Sequence, residues 1–155
     1  MHDHCILFLT LPNPIADRCM EGSSFVFEVL MKTRGEIEAA VCDEMSRFQQ
    51  DYMGRGPKDT HVHLIENLLM VRFQGVLTTA EQHLVRRLNG NGRDLLKQVR
   101  THLIETARPT LEATITEITG VKVLSLHYDI STLTGEEIVL FTLSDVPLFR
   151  ATVKK

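Results

Sequence analysis

Two pairs of β-rich runs, each interrupted by a short turn, limit what this chain can fold into more than any other feature. Thr60, Val62 and Leu64 alternate with His61, His63 and Ile65, and after Glu66-Asn67 a second run extends from Leu68 to Val76. Val121 to Ser131 and Glu136 to Val146 repeat the arrangement around Thr134-Gly135. Strands separated by so few residues pair antiparallel, and Asn67 suits the positive φ that a tight turn asks for. The chain is therefore committed to two hairpins, and the segments around them must supply the layer that covers the sheet.

Those segments read as helices. Ile37, Val41, Met45, Phe48 and Tyr52 recur every three or four residues, which places them on one stripe. Gly54 can close that helix in a left-handed conformation, and Pro57 cannot continue it. Thr78 and Glu81 are spaced as a capping box, predicting a helix to about Leu88. Asn89-Gly90-Asn91-Gly92 interrupts, and a longer helical stretch follows from Arg93 to about Thr119, ended by Gly120. In its first half the apolar face is Leu95, Leu96, Val99 and Leu103. The row Arg93, Lys97, Arg100, Ile104, Arg108, Leu111, Ile115 and Ile118 changes from basic to apolar, so a straight helix would rotate its buried face midway. Pro109 lacks a backbone donor and crowds the preceding turn, so a kink or break is expected near residues 105 to 109. The order α-β-β-α-α-β-β predicts an α+β fold: a largely antiparallel four-stranded sheet with helices packed on one face.

Length and composition bound the rest. A chain of 155 residues, 43% hydrophobic and 24% charged, suffices for one domain without disulfides or a structural metal. Residues 31–155 read as that single domain. Residues 1–30, broken by Pro12, Pro14 and Gly22-Ser23-Ser24, read as an N-terminal extension, partly disordered or loosely docked, with Met31 as an alternative start. A net charge of −3 argues against a dedicated nucleic-acid binder. Cys5, Cys19 and Cys42 form no CxxC pair and suggest a reducing cytoplasm. The run Ile6 to Leu11 falls far short of the roughly 20 residues that span a bilayer.

Three candidate sites follow, each beside a structural explanation. His61 and His63 share a strand face and carry metal-binding nitrogens, but zinc wants three or four ligands. His83, His102 and His127 are the available third donors; a half-exposed strand face is the commoner explanation of the pair. Gly54-Arg55-Gly56 can present backbone NH groups and a guanidinium to an anion, although helix termination already accounts for both glycines. Arg93, Lys97 and Arg100 make the middle of the chain basic and suit an anionic lipid or acidic protein partner, or simply a solvated helix face. No nucleophile signature such as GxSxG is present, no catalytic cluster emerges and no cofactor is implied.

The segments GRGP (54–57), RFQGVLTTAE (72–81) and ITGVKV (118–123) resemble a bacterial family named for MpsC, a component of a sodium-translocating, membrane-potential-generating system. The resemblance covers about residues 33 to 146 and rests on Gly54, Gly56, Pro57, Gly75, Leu77, Thr78, Glu81 and Gly120, mostly turn and cap residues. His61 and His63 lie outside the pattern. The resemblance implies an association with membrane sodium or inorganic-carbon transport. A chain without a spanning segment would serve such a system as a non-catalytic, cytoplasmic accessory or interaction module, peripheral to the inner membrane face. Its partners would be a membrane protein and further copies of itself, in a homodimer or higher oligomer paired through hairpin edges. The alternative is a small-molecule-binding or metal-dependent enzyme. Its hairpin arrangement would be similar to the tunnelling fold of pterin-handling enzymes, whose zinc site includes a His-x-His pair; the residues surrounding that motif are missing here.

Overall fold

The computed structural model describes residues 31–87 and 91–150. The expected extension, 1–30, and the first part of the Asn89-Gly90-Asn91-Gly92 turn lie outside the described residues. Among the described residues, three helices and four strands follow in the order the sequence predicts: α1 (Arg34–Asp51), β1 (Asp59–Ile65), β2 (Leu68–Gln74), α2 (Thr79–Arg87), α3 (Asn91–Thr119), β3 (Val123–Ser131) and β4 (Glu136–Leu143).

Helix α1 starts on a capping box that sequence reading passed over. The Thr33 hydroxyl accepts from the Glu36 backbone NH at 3.2 Å, while the Glu36 carboxylate accepts from the Thr33 NH at 2.6 Å. Its buried face is Ile37, Val41, Met45 and Gln49. Tyr52 was expected to close this stripe; instead it is exposed and stacks on Phe48 with ring centroids 5.1 Å apart. The inward position goes to Gln49, a polar residue, because a polar partner waits for it in the core.

The sheet order is β1-β2-β4-β3, all antiparallel. Two hairpins thus lie side by side, joined through their second strands. Registers align Val62, Val71, Val139 and Tyr128 in one cross-strand row and Leu64, Leu69, Phe141 and Leu126 in the next. A third row on this face contains Thr60, Phe73, Glu137 and Ile130. The period of two along each strand directs these rows to the helices and sends His61, His63 and His127 to the opposite, exposed side. In the β1–β2 turn it is Glu66, not Asn67, that has positive φ (55°). Asn67 is used otherwise: its amide donates to the Leu143 carbonyl at 3.2 Å and its own carbonyl accepts from the Leu143 NH at 2.8 Å.

Helix α3 corrects a second expectation. It runs unbroken for 29 residues with Pro109 inside, and its buried row is Leu96, Arg100, Ile104, Ala107, Leu111, Ile115 and Thr119. The buried face continues along this row without the midway rotation. The apolar residues first assigned to it, Leu95, Val99 and Leu103, are exposed at 48%, 47% and 37%. The reason is Arg100, which occupies a core position because carboxylates meet it there.

Both sheet edges are partly closed by helix side chains. On β1 the Leu64 NH donates to Glu38 at 2.9 Å, and the Cys42 thiol lies 3.7 Å from the Thr60 carbonyl. On β3 the Leu126 carbonyl accepts from Arg108 at 3.3 Å. Blocked backbone groups of this kind oppose strand addition.

Candidate functional site

Four local structures converge at one end of the sheet: the loop after α1, the end of β2, the start of α2 and the β3–β4 turn. Each depends on chain geometry that the sequence sets locally. Gly54 (φ 79°) ends the α1 region, Gly75 (φ 67°) turns the chain out of β2, and Gly135 (φ 69°) closes the second hairpin. At Gly75 the aliphatic stem of Lys58 lies where a Cβ would be, 2.7 Å from the ideal position, so only glycine leaves room for it.

Between these pieces lies a cleft of about 530 Å³ whose lining includes Arg55, Lys58, Arg86 and Arg93 together with Leu77, Val85 and Leu133. A second concavity of about 340 Å³ also contains Lys58, Gly75 and Thr134. The Arg55 guanidinium is held in place by donating to the Leu77 carbonyl at 3.0 Å. Among the described residues, none that lines the main cleft is acidic. Elsewhere, Arg34, Arg47, Arg72, Arg100 and Arg108 all have glutamate partners. Among the described residues, the four cations of the cleft have no carboxylate partner, and their positive field faces the open space.

Beneath the cleft floor lies a buried polar cluster. Arg100, 1% exposed, donates from Nε and Nη2 to the two oxygens of Glu81 at 2.8 and 3.0 Å, and from Nη1 to Glu137 at 2.7 Å. Nη2 also reaches the Val76 carbonyl at 3.1 Å. Gln49 donates its amide to the other oxygen of Glu137, and the Tyr128 hydroxyl is buried close by without a well-aligned hydrogen bond. Glu81 is at the same time the capping-box acid of α2, accepting from the Thr78 NH at 2.7 Å. The segment from Gly75 to Thr78 is therefore tied from below by Arg100 and Glu81 and from above by Arg55. It is also tied sideways, where the Val76 NH donates to the Gly135 carbonyl at 3.2 Å.

The electrostatics follow from two carboxylates sharing one guanidinium in a desolvated place. Burial pushes the Glu137 carboxyl above the usual range, and Arg100 only partly offsets this. For Glu81 burial acts the same way, but the hydrogen bonds from Arg100 and from Thr78 outweigh it and hold the group low. Burial works against the charge of Arg100 as well, yet Glu81 and Glu137 reverse that and raise its pKa. Burial, followed by the Glu137 charge, raises the Tyr128 phenol.

The candidate residues separate on this geometry. Arg55 and Gly56 lie half-buried beside the cleft, with Arg55 in its lining. The Gly56 NH is already engaged, donating to the Gln50 side chain at 2.9 Å, and Gly54 serves as the turn. Arg93, Lys97 and Arg100 do not form one basic surface row. Arg93 lines the cleft, Lys97 pairs with Asp129 at 2.7 Å, and Arg100 is in the core. His61 pairs with Asp59 at 2.8 Å on exposed β1, and no group of three or more metal-ligating side chains occurs among the described residues. Sequence reading missed Lys58, Gln49 and Glu137, and placed Arg86 only in the basic middle of the chain. A signal existed for Glu137, since strand alternation places it on the same face as Val139, Phe141 and Leu143.

A profile for the family described as the Na+-translocating membrane potential-generating system (MpsC) matches residues 33–145. This chain belongs to the MpsC family. Gly75, Leu77, Thr78 and Glu81, on which the family resemblance rested, fall in the cleft wall and its buried support. Among curated proteins, the chain is 32% identical over 114 residues to the uncharacterized protein YbcI of Bacillus subtilis (strain 168), covering 74% of this chain and 90% of that one. It is 29% identical over 90 residues to the uncharacterized protein YrhF of the same organism, covering 57% and 71%. No solved structure matches.

Proposed function

We propose that this MpsC-family protein is a non-catalytic accessory module of a membrane sodium- or inorganic-carbon-transport system, acting at the cytoplasmic face through its basic cleft. The observation that carries the reading is the charge asymmetry. Arg55, Lys58, Arg86 and Arg93 gather in one concavity without carboxylate partners among the described residues, whereas Arg34, Arg47, Arg72, Arg100 and Arg108 have them. Such a patch attracts an acidic partner by steering and complementarity rather than by chemistry. No helix among the described residues is long and apolar enough to cross a membrane, so the membrane link would run through a partner. The family description supports a sodium-linked system as that partner.

Self-association belongs to the same reading. Its support is the exposed row Leu95, Val99 and Leu103 on α3, rather than the sheet edges, whose backbone groups are partly occupied. Light scattering on wild type and Val99→Glu would show a mass shift toward monomer if that row is the contact.

Docking is tested by affinity purification from native membranes with wild type and with Arg86→Ala/Arg93→Ala. Enrichment of an integral-membrane cation-transport subunit, lost in the double variant and in high salt, is the expected result. Equal recovery with the double variant, or no membrane subunit at any salt concentration, would overturn it.

A further inference from the structure

We infer that the cleft is a binding site for a phosphorylated small molecule carrying two or more negative charges and an apolar body, the class that includes nucleoside diphosphates. This deepens the reading of the cleft as the working surface and rests on that reading, though not on any membrane partner.

Three observations converge on this chemistry. First, the charge: Arg55, Lys58, Arg86 and Arg93 in one lining, with no acidic side chain among the described residues of that lining, leave formal positive charge that a single carboxylate would not balance. Arginine presents paired donors that match phosphate oxygens, and lysine adds a point charge. Second, the shape: at about 530 Å³ the cleft is in the size class of small-molecule sites. Leu77, Val85 and Leu133 supply an apolar wall beside the cations, and Thr132 and Thr134 offer hydroxyls at the β3–β4 turn. A bare inorganic anion would leave that apolar wall unused. Third, preorganisation: Arg55 is already oriented by the Leu77 carbonyl at 3.0 Å. The Gly75–Thr78 wall carrying Leu77 is anchored by Arg100 and Glu81, so little of it has to be ordered when a ligand enters.

Isothermal titration calorimetry on the full chain with ADP, inorganic phosphate and, separately, vesicles containing phosphatidylglycerol tests the inference. ADP should bind saturably at one site per chain, more tightly than inorganic phosphate. Arg86→Ala and Arg93→Ala should each weaken it about tenfold, the scale of one charge-assisted hydrogen bond. Arg47→Ala, outside the cleft and paired with Glu44, should leave it unchanged. Unaltered thermal melts of the cleft variants would show that lost binding is not lost folding. Vesicle binding that is abolished by the same two substitutions, without ADP binding, would overturn the small-molecule reading and name lipid headgroups as the ligand of the cleft. Absence of saturable binding to all three probes, or ADP binding indifferent to Arg86 and Arg93, would overturn the proposal. Co-purification with a membrane subunit can fail while ADP binds, and the reverse, so the two readings are separable.

Discussion

Arg100 and Glu81 meet through two parallel hydrogen bonds, Nε to Oε1 at 2.8 Å and Nη2 to Oε2 at 3.0 Å, across 19 residues of sequence. The same Oε2 accepts from the Thr78 NH and hydroxyl at 2.7 and 2.9 Å. One carboxylate thus starts helix α2 and neutralises the buried arginine of α3, so the cleft wall and the core share a component.

Arg100→Met should be among the most destabilising single changes in the chain. It leaves Glu137 buried without a cation, and breaking a buried pair from one side costs about 3–5 kcal/mol. Combining it with Glu137→Leu should recover part of the loss, because no carboxylate then stays fully buried without a cation, although Glu81, the Val76 carbonyl and Gln49 still lose their partners. Urea unfolding of both variants measures this; a single variant within about 1 kcal/mol of wild type would contradict the assignment, given the usual cost of such a break.

The two arms of the cap should be unequal. Thr78→Ala removes one capping acceptor and should cost about 1 kcal/mol. Glu81→Ala removes the reciprocal acceptor and one of the two acids on Arg100, and should cost distinctly more. The order of denaturation midpoints decides the point, and a Thr78→Ala midpoint below that of Glu81→Ala would reverse the argument.

The two acids should also give stability opposite pH dependences. The folded pKa of Glu137 is raised, so its contribution is fully present below the unfolded value near 4.5 and is lost as pH rises through the folded value. That of Glu81 is lowered, so its contribution is present above 4.5 and is lost as pH falls through the folded value. Melting curves across this range should show wild type losing ground to Glu137→Gln as pH rises above 4.5. Against Glu81→Gln, wild type should gain ground as pH rises toward 4.5. Parallel pH profiles for all three proteins would contradict both directions.

Pro109→Ala should stabilise the protein. Pro109 stands on the exposed side of an unbroken helix, where it supplies no backbone donor. Alanine there is favoured by roughly 1–3 kcal/mol, less whatever the proline gains by restricting the unfolded chain. Calorimetry should show a higher Tm; a lower one would mean that Pro109 has a packing role the helix geometry hides.

Periodicity and turn chemistry by themselves determined the element order, both hairpins, the left-handed closure at Gly54 and the Thr78–Glu81 cap. These depend on contacts within a few residues, where the rules of φ and of hydrogen-bond reach leave few alternatives. Sequence reading went wrong where a residue's environment comes from far along the chain. Arg100 read as surface because an isolated α3 has no reason to bury a guanidinium, and of the kink or break read at Pro109 the break does not occur. Glu137 lies 37 residues away, and only the sheet brings it under that helix. Tyr52 read as core and Gln49 went unread for the same reason, since Gln49 finds its acceptor 88 residues on. The cleft is likewise a product of tertiary structure: Arg55 and Lys58, from the loop after α1, are brought against Arg86 and Arg93 from the basic middle of the chain. Local stereochemistry set the pieces, but only their packing decided which charges were neutralised in the core and which were left facing open space.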